Sequence, residues 1–176
     1  MFLSVFDLFK IGIGPSSSHT MGPMVAASRF LDEVLNGDWP RPHGAKVAEI
    51  KVSLHGSLAY TGIGHATDRA VILGLCGEKP DTMDIEGADA LLEKVARKKT
   101  VQPAGHPAYR FDPATDLVLD KKTPLPGHAN GMAFTAMDED GRQLLRVPYF
   151  SVGAGFVVSG DELAALKSNA GKPSGP

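Results

Sequence analysis

Soon after residue 20 the apolar positions recur with a helical period. Met24, Ala27, Phe30, Leu31 and Val34 fall on one face. Pro23 suits a first turn and Gly37 a stop, so a helix is expected over residues 23–35. "GDWPRPHG" then reads as a connection. From residue 49 the period shortens to two: Ile50, Val52 and Leu54 alternate with Glu49, Lys51 and Ser53, a strand with one buried face. A second helix is expected over residues 67–75, with Thr67 as N-cap and Asp68 well placed in the first turn. A third starts near Asp84, carries Leu91, Leu92 and Val95, and ends in "ARKK", which suits the negative end of its dipole. Near the start, Ser4 and Asp7 predict a short helix to Phe9, before Gly12, Gly14 and Pro15 stop regular structure.

Beyond residue 100 the texture turns to β. "AYRF" and "DLVLD" are short strand candidates. "GMAFTAMDEDGRQLLRVPYFSVG" reads as a hairpin turning at Asp140-Gly141, and "GFVVSG" as a further strand. Ser159 with Glu162 predicts a cap for one last helix. The tail "KSNAGKPSGP" reads as an interdomain linker. No internal repeat occurs, and the class is mixed α/β in a single domain.

Composition narrows the functions. The 176 residues are 43% hydrophobic and 22% charged with net charge −2, ordinary for a soluble domain. Basic residues gather nowhere, which argues against a nucleic-acid partner. No run of about 18 apolar residues exists to span a membrane, and "MFLSVFDLFKIGIG" lacks the basic start of a signal peptide. The single cysteine, Cys76, excludes an internal disulfide and a self-contained iron–sulfur cluster. A cytoplasmic location is the expectation.

Two polar clusters carry candidate chemistry. In "GPSSSHTMGPM", Ser16, Ser17, Ser18 and Thr20 add hydroxyl donors just ahead of a helix N-terminus, and His19 adds a group that titrates near neutrality. A small carboxylate or phosphate would fit there; a Ser-rich connector is the bland alternative. The second cluster is "HGSLAYTGIGHATD", directly after the predicted strand, where open α/β sheets bind ligands. It offers His55, Ser57, Thr61 and His65, with Gly56, Gly62 and Gly64 permitting close backbone approach. His55 has a competing reading as a surface histidine at a strand end, and His65 is the better candidate. In "LPGHANGM", His128 and Asn130 face the same pocket or merely form a turn. His43 and His106, beside prolines, read as loop residues. Cys76 on "AVILGLCG" reads as a small buried hydrophobe. No H-E-x-x-H or close His/Asp spacing marks an in-chain zinc site, and no G-x-S-x-G elbow a hydrolase. The residues themselves point to a small-anion pocket with two histidines, and to no particular reaction.

At these residues the chain resembles a known family. "SVFDLFKIGIGPSSSHTMGPM", "GSLAYTGIGHATDRA", "HANGM" and "YFSVGAGFV", in that order, resemble the β region of bacterial iron–sulfur L-serine dehydratases (L-serine ammonia-lyases). The likeness runs from about Ser4 to Val158; Ala66 and Ala154 stand where the family often has glycine, and Gly127 and Ala129 flank His128 differently. It implies a β domain over residues 1–160, with residues 161–176 starting a linker toward a catalytic α domain or subunit. That α region, not this chain, would hold a [4Fe-4S] cluster acting as Lewis acid on the hydroxyl of L-serine, which ends as pyruvate and ammonia. The fold implied is similar to the allosteric substrate-binding domain of D-3-phosphoglycerate dehydrogenase, with a homodimer expected. Carried over residue by residue, His19 and His65 would reach the active site, one as acid–base group and the other as carboxylate partner. Ser16, Ser17, Ser18, Thr20 and Ser57 would hold the substrate carboxylate, with Asp68, His128 and Asn130 at the pocket edge. On this reading the chain alone is inactive. The alternative is a regulatory module that binds L-serine and dimerises; a free-standing anion-binding domain is a third.

Overall fold

The computed structural model describes residues 19–61, 67–83, 86–153 and 155–170. The short helix expected over residues 4–9, together with Ser16, Ser17, Ser18, His65 and Ala154, lies outside them. Among the described residues, five helices and seven strands make one mixed α+β domain around a curled sheet. The helices are α1 (Met21–Asn36), α2 (Ser57–Thr61), α3 (Thr67–Leu75), α4 (Ala88–Lys98) and α5 (Gly160–Ala170). The strands are β1 (Glu49–His55), β2 (Thr100–Val101), β3 (Tyr109–Arg110), β4 (Leu117–Asp120), β5 (Gly131–Met137), β6 (Gln143–Gly153) and β7 (Phe156–Ser159).

The sheet runs β2-β3-β1-β5-β6-β7, and β4 also pairs with β1. β1 is parallel to β3 and β4 and antiparallel to β5. Because side chains alternate along a strand, successive register rows alternate between the two faces. On one face Val52, Phe134 and Val147 stand in a row, followed by Leu54, Met132 and Tyr149. This face meets the apolar stripe of α1: Phe30 stacks against Phe134 at 5.3 Å between ring centroids, and Phe134 meets Tyr149 edge-on at 5.8 Å. Ala26, Ala27, Leu31 and Val34 complete the stripe within the core. α3 lies against α1 closely, since a Cβ added to Gly74 would stand 2.7 Å from Ala27 Cβ and 2.8 Å from the Met24 carbonyl oxygen. Only glycine permits that approach.

The C-terminal end of α1 is organised by the connection beyond it. Gly37 terminates the helix, its N–H donating to the Glu33 carbonyl at 2.9 Å. No basic residue lies in the last turn; Arg41, stacked on Trp39, donates instead to the carbonyls of Val34, Leu35 and Gly37. The "GDWPRPHG" connection therefore supplies the cation that the helix C-terminus favours.

Several expectations are corrected. α4 begins at Ala88, with Gly87 as its N-cap, rather than near Asp84. A glycine inside the helix would have been unfavourable, so it marks the boundary instead. Thr67 does not cap α3 by its side chain: its hydroxyl is fully buried and makes no hydrogen bond among the described residues. Residues 167–170, at the start of the expected linker, continue the last helix, and the rest of that stretch lies outside the described residues. Here the capping box acts as anticipated, with Glu162 N–H donating to Ser159 Oγ at 3.2 Å and Ser159 N–H to Glu162 Oε1 at 3.4 Å.

Arg29 joins α1 to the far edge. It donates to the Val157 carbonyl at 2.9 Å, pairs with Glu162 and lies 5.4 Å from the centre of the Tyr149 ring. The hydrogen bond from Arg29 holds the Glu162 carboxyl below its ordinary value of 4.5. A depressed carboxyl stabilises the fold above that value, and the contribution is lost as pH falls through the folded value. Both partners are well exposed, 38% and 48%, so the pair contributes no more than about 1 kcal/mol. The melting temperature is expected to fall below pH 4.5 by a few degrees less in Arg29→Gln than in the native chain; identical acid limbs would contradict this.

Candidate functional site

β1 ends where three segments meet. After His55 the chain turns at Gly56 (φ +55°), and a Cβ there would stand 2.3 Å from the Ala129 carbonyl oxygen. That contact requires glycine, because both the left-handed backbone and the packing exclude a side chain. Ser57 N–H then donates to the same carbonyl at 2.9 Å. The "HGS" turn is thus locked onto the "HANGM" loop that enters β5. Ser57 opens the short helix α2.

His19 comes from the other side, immediately before α1. Its Nε2 lies 2.9 Å from Ser57 Oγ. This bond joins positions 38 residues apart, and it brings a described member of each polar cluster together. Thr20 beside it is fully buried as the N-cap residue. The first turn of α1 contains no acidic side chain, and the Thr20 side chain does not cap it. Within the described residues no carboxylate of that turn or capping oxygen therefore offsets the positive end of this dipole.

The "HANGM" loop is the third segment at this end of β1. His128 Nδ1 accepts from Asn130 N–H at 3.0 Å, which fixes the loop on itself. Asn130 Nδ2 donates to the Ser151 carbonyl at 3.2 Å, and Ser151 N–H returns a bond to the Asn130 carbonyl at 3.0 Å. The turn after β6 closes on α1, for a Cβ on Gly155 would stand 3.1 Å from Met21 Cε. Described parts of all four sequence motifs accordingly converge at the N-terminal end of α1.

His55 does not belong to this cluster. Leu54 faces the helices, so His55 faces the opposite side of the sheet. It is 5% exposed, not a surface histidine. Its Nδ1 lies 2.6 Å from the Thr123 carbonyl and its Nε2 2.7 Å from Ser53 Oγ. A ring N–H donating to that carbonyl leaves Nε2 to accept from the Ser53 hydroxyl, a structural bond set. Asp120 supports it by accepting from the N–H groups of Lys122 and Thr123, which hold its carboxyl below the ordinary range. Asp68 serves its own helix, accepting from its neighbour Arg69 N–H at 2.9 Å within α3. His106 holds the Tyr109 hydroxyl at 2.7 Å, and His43 is exposed in its loop, both in keeping with the plain reading.

Two cavities among the described residues lie elsewhere. One of about 710 Å³, lined by Val34, Lys46, Tyr109, Arg110 and Glu139, sits at the opposite end of β1 from Ser57. Another of about 470 Å³ lies on the opposite sheet face, among Leu125, Phe150, Leu163 and Lys167. None of the expected site residues lines either.

The donor set does not fit a resident iron–sulfur cluster. Cys76 is the chain's one thiol, and burial, with Glu78 adding and Lys94 opposing, pushes it up to about 12. Cluster iron takes thiolates, several of them. Among the described residues no group of three His, Cys, Asp or Glu could hold a metal ion. The same burial makes Cys76 inert. At pH 8 a thiol reagent should label the native chain on the order of 100-fold or more slower than the unfolded chain. Equal rates would contradict the packing seen around it.

Fold and site together define a mixed α+β domain whose central strands end in a hydroxyl–imidazole cluster under a helix N-terminus. The family model described as serine dehydratase beta chain matches residues 4–162. An L-serine dehydratase of Streptomyces coelicolor is 46% identical over 165 residues, 94% of this chain and 35% of the relative. One of Haemophilus influenzae is 43% identical over 158 residues, 89% of this chain and 33% of the relative. Escherichia coli L-serine dehydratase TdcG is 42% identical over 157 residues, again 89% and 33%. The chain belongs to the serine dehydratase beta chain family, and it spans about a third of the length of the curated relatives it matches. Among the described residues no helix is long and apolar enough to cross a membrane.

Proposed function

We propose that the chain is the β region of an L-serine ammonia-lyase, which lends the His19–Ser57 cluster to an active site completed by a separate catalytic α region. The observation that carries this reading is the 2.9 Å bond between His19 Nε2 and Ser57 Oγ at the positive end of α1. An imidazole beside a hydroxyl suits proton transfer to or from a bound amino acid. The helix end favours that ligand's carboxylate. Ser57 orients the ring, Gly56 and Ala129 hold Ser57, and the apolar rows of the core keep both elements rigid. His65 and Ser16 to Ser18, which lie outside the described residues, remain part of the proposal through the family resemblance alone. The [4Fe-4S] cluster belongs to the α region, since this chain's donors do not fit it.

The test is reconstitution. Alone, the chain should not deaminate L-serine; assembled with its α region it should, and His19→Ala should remove most of that turnover. Were His19→Ala to leave kcat intact while changing cooperativity in L-serine, the regulatory reading would replace this one.

A further inference from the structure

Ser151 lies in β6 and is fully buried, yet its hydroxyl makes no hydrogen bond among the described residues. A buried hydroxyl without a partner is unfavourable relative to a satisfied one, and alanine would avoid that penalty. Its direction follows from the strand. Val147 and Tyr149 face α1, so Ser151, two residues on, faces it too. Tyr149 lies beneath Arg29, and Gly155 lies against Met21. Ser151 falls between them, under the first two turns of α1. Asn130 is its partner across the sheet, and next to Asn130 the Ala129 carbonyl binds Ser57. After two apolar rows, Val52–Phe134–Val147 and Leu54–Met132–Tyr149, the next row on this face is therefore polar, and it sits at the His19–Ser57 end.

We propose that Ser151 is a substrate-binding residue whose hydroxyl donates to the carboxylate of the amino-acid substrate held under the N-terminal turn of α1. The inference rests on the functional reading above. An anion is the ligand that suits both observations at once: the donor lacks an acceptor, and the first turn of the helix lacks a negative charge among the described residues. Asn130 acts differently, spending its side-chain N–H on the Ser151 carbonyl and so fixing the strand that carries the hydroxyl.

The experiment uses the enzyme assembled with its α region. Ser151→Ala should raise KM for L-serine about tenfold or more, with a smaller change in kcat, because a hydrogen bond to a charged carboxylate is lost. Its melting temperature should stay level or rise, since an unpaired buried hydroxyl has gone. Ser151→Cys, which keeps a weak donor, should give an intermediate KM. An unchanged KM overturns the proposal, whether or not assembly with the α region weakens. A lowered melting temperature in Ser151→Ala overturns it as well, for that marks a packing role. If His19→Ala abolishes turnover while Ser151→Ala leaves KM alone, this inference fails and the functional reading stands. If His19→Ala leaves turnover intact, the functional reading is what fails.

Discussion

Replacing His19 by alanine in the assembled enzyme lowers kcat about 10²–10⁴-fold, the range expected when a positioned acid–base group is lost. Geometry sets this loss before chemistry does. Nε2 is held at 2.9 Å from Ser57 Oγ, which orients the ring. Removing the ring leaves the core untouched, because His19 precedes α1 and the buried hydrophobic stripe begins only at Met24. The melting temperature of His19→Ala should stay within a few degrees of the native value, separating a chemical loss from a folding defect. Ser57→Ala should cost less, on the order of tenfold, since it removes the orienting partner and leaves the ring. A His19→Ala enzyme with native kcat would end the catalytic reading.

The largest stability effect is expected at Gly56. Gly56→Ala places a Cβ 2.3 Å from the Ala129 carbonyl oxygen at φ +55°. The left-handed backbone alone disfavours alanine by about 1–2 kcal/mol. Relief of the clash must move backbone against backbone, and the Ser57–Ala129 bond goes with it. The two effects together cost about 2–4 kcal/mol, worth roughly 5–15 °C in melting temperature for a chain of this size. Unlike His19→Ala, this variant should lose stability and turnover together, because the same turn that packs the loop also places Ser57. A Gly56→Ala chain that melts with the native one would show that the turn has slack the structure does not suggest.

Much of the fold was legible in the order of residues. The stripe from Met24 to Val34, the alternation from Ile50 to Leu54 and the Asp138–Gly141 turn each follow from a local period or a local hydrogen-bond habit. In that turn Asp138 Oδ1 accepts from the N–H groups of Asp140 and Arg142, and Gly141 takes φ +78°. Where local rules failed, a distant partner decided. Thr67 has the right side chain for a cap, yet burial leaves its hydroxyl without a hydrogen bond among the described residues. His55 lies two residues from Ser57 in sequence, but strand alternation sends it to the face opposite Leu54. The left-handed turn at Gly56 takes Ser57 out of the strand toward His19. Ser151 was visible only as a serine in an apolar strand run; that it faces α1 with its hydroxyl unsatisfied needed the register of β5 and β6.

The chain's own order of residues determined its class, its family and the chemical character of its polar clusters, because periodicity and motif are local properties. Which histidine meets which hydroxyl was decided only in three dimensions. β1 and β5 must pair in one register, and Gly56 must turn against Ala129, before Ser57 reaches His19. Those contacts join residues far apart along the chain, and only burial of the shared core holds them together.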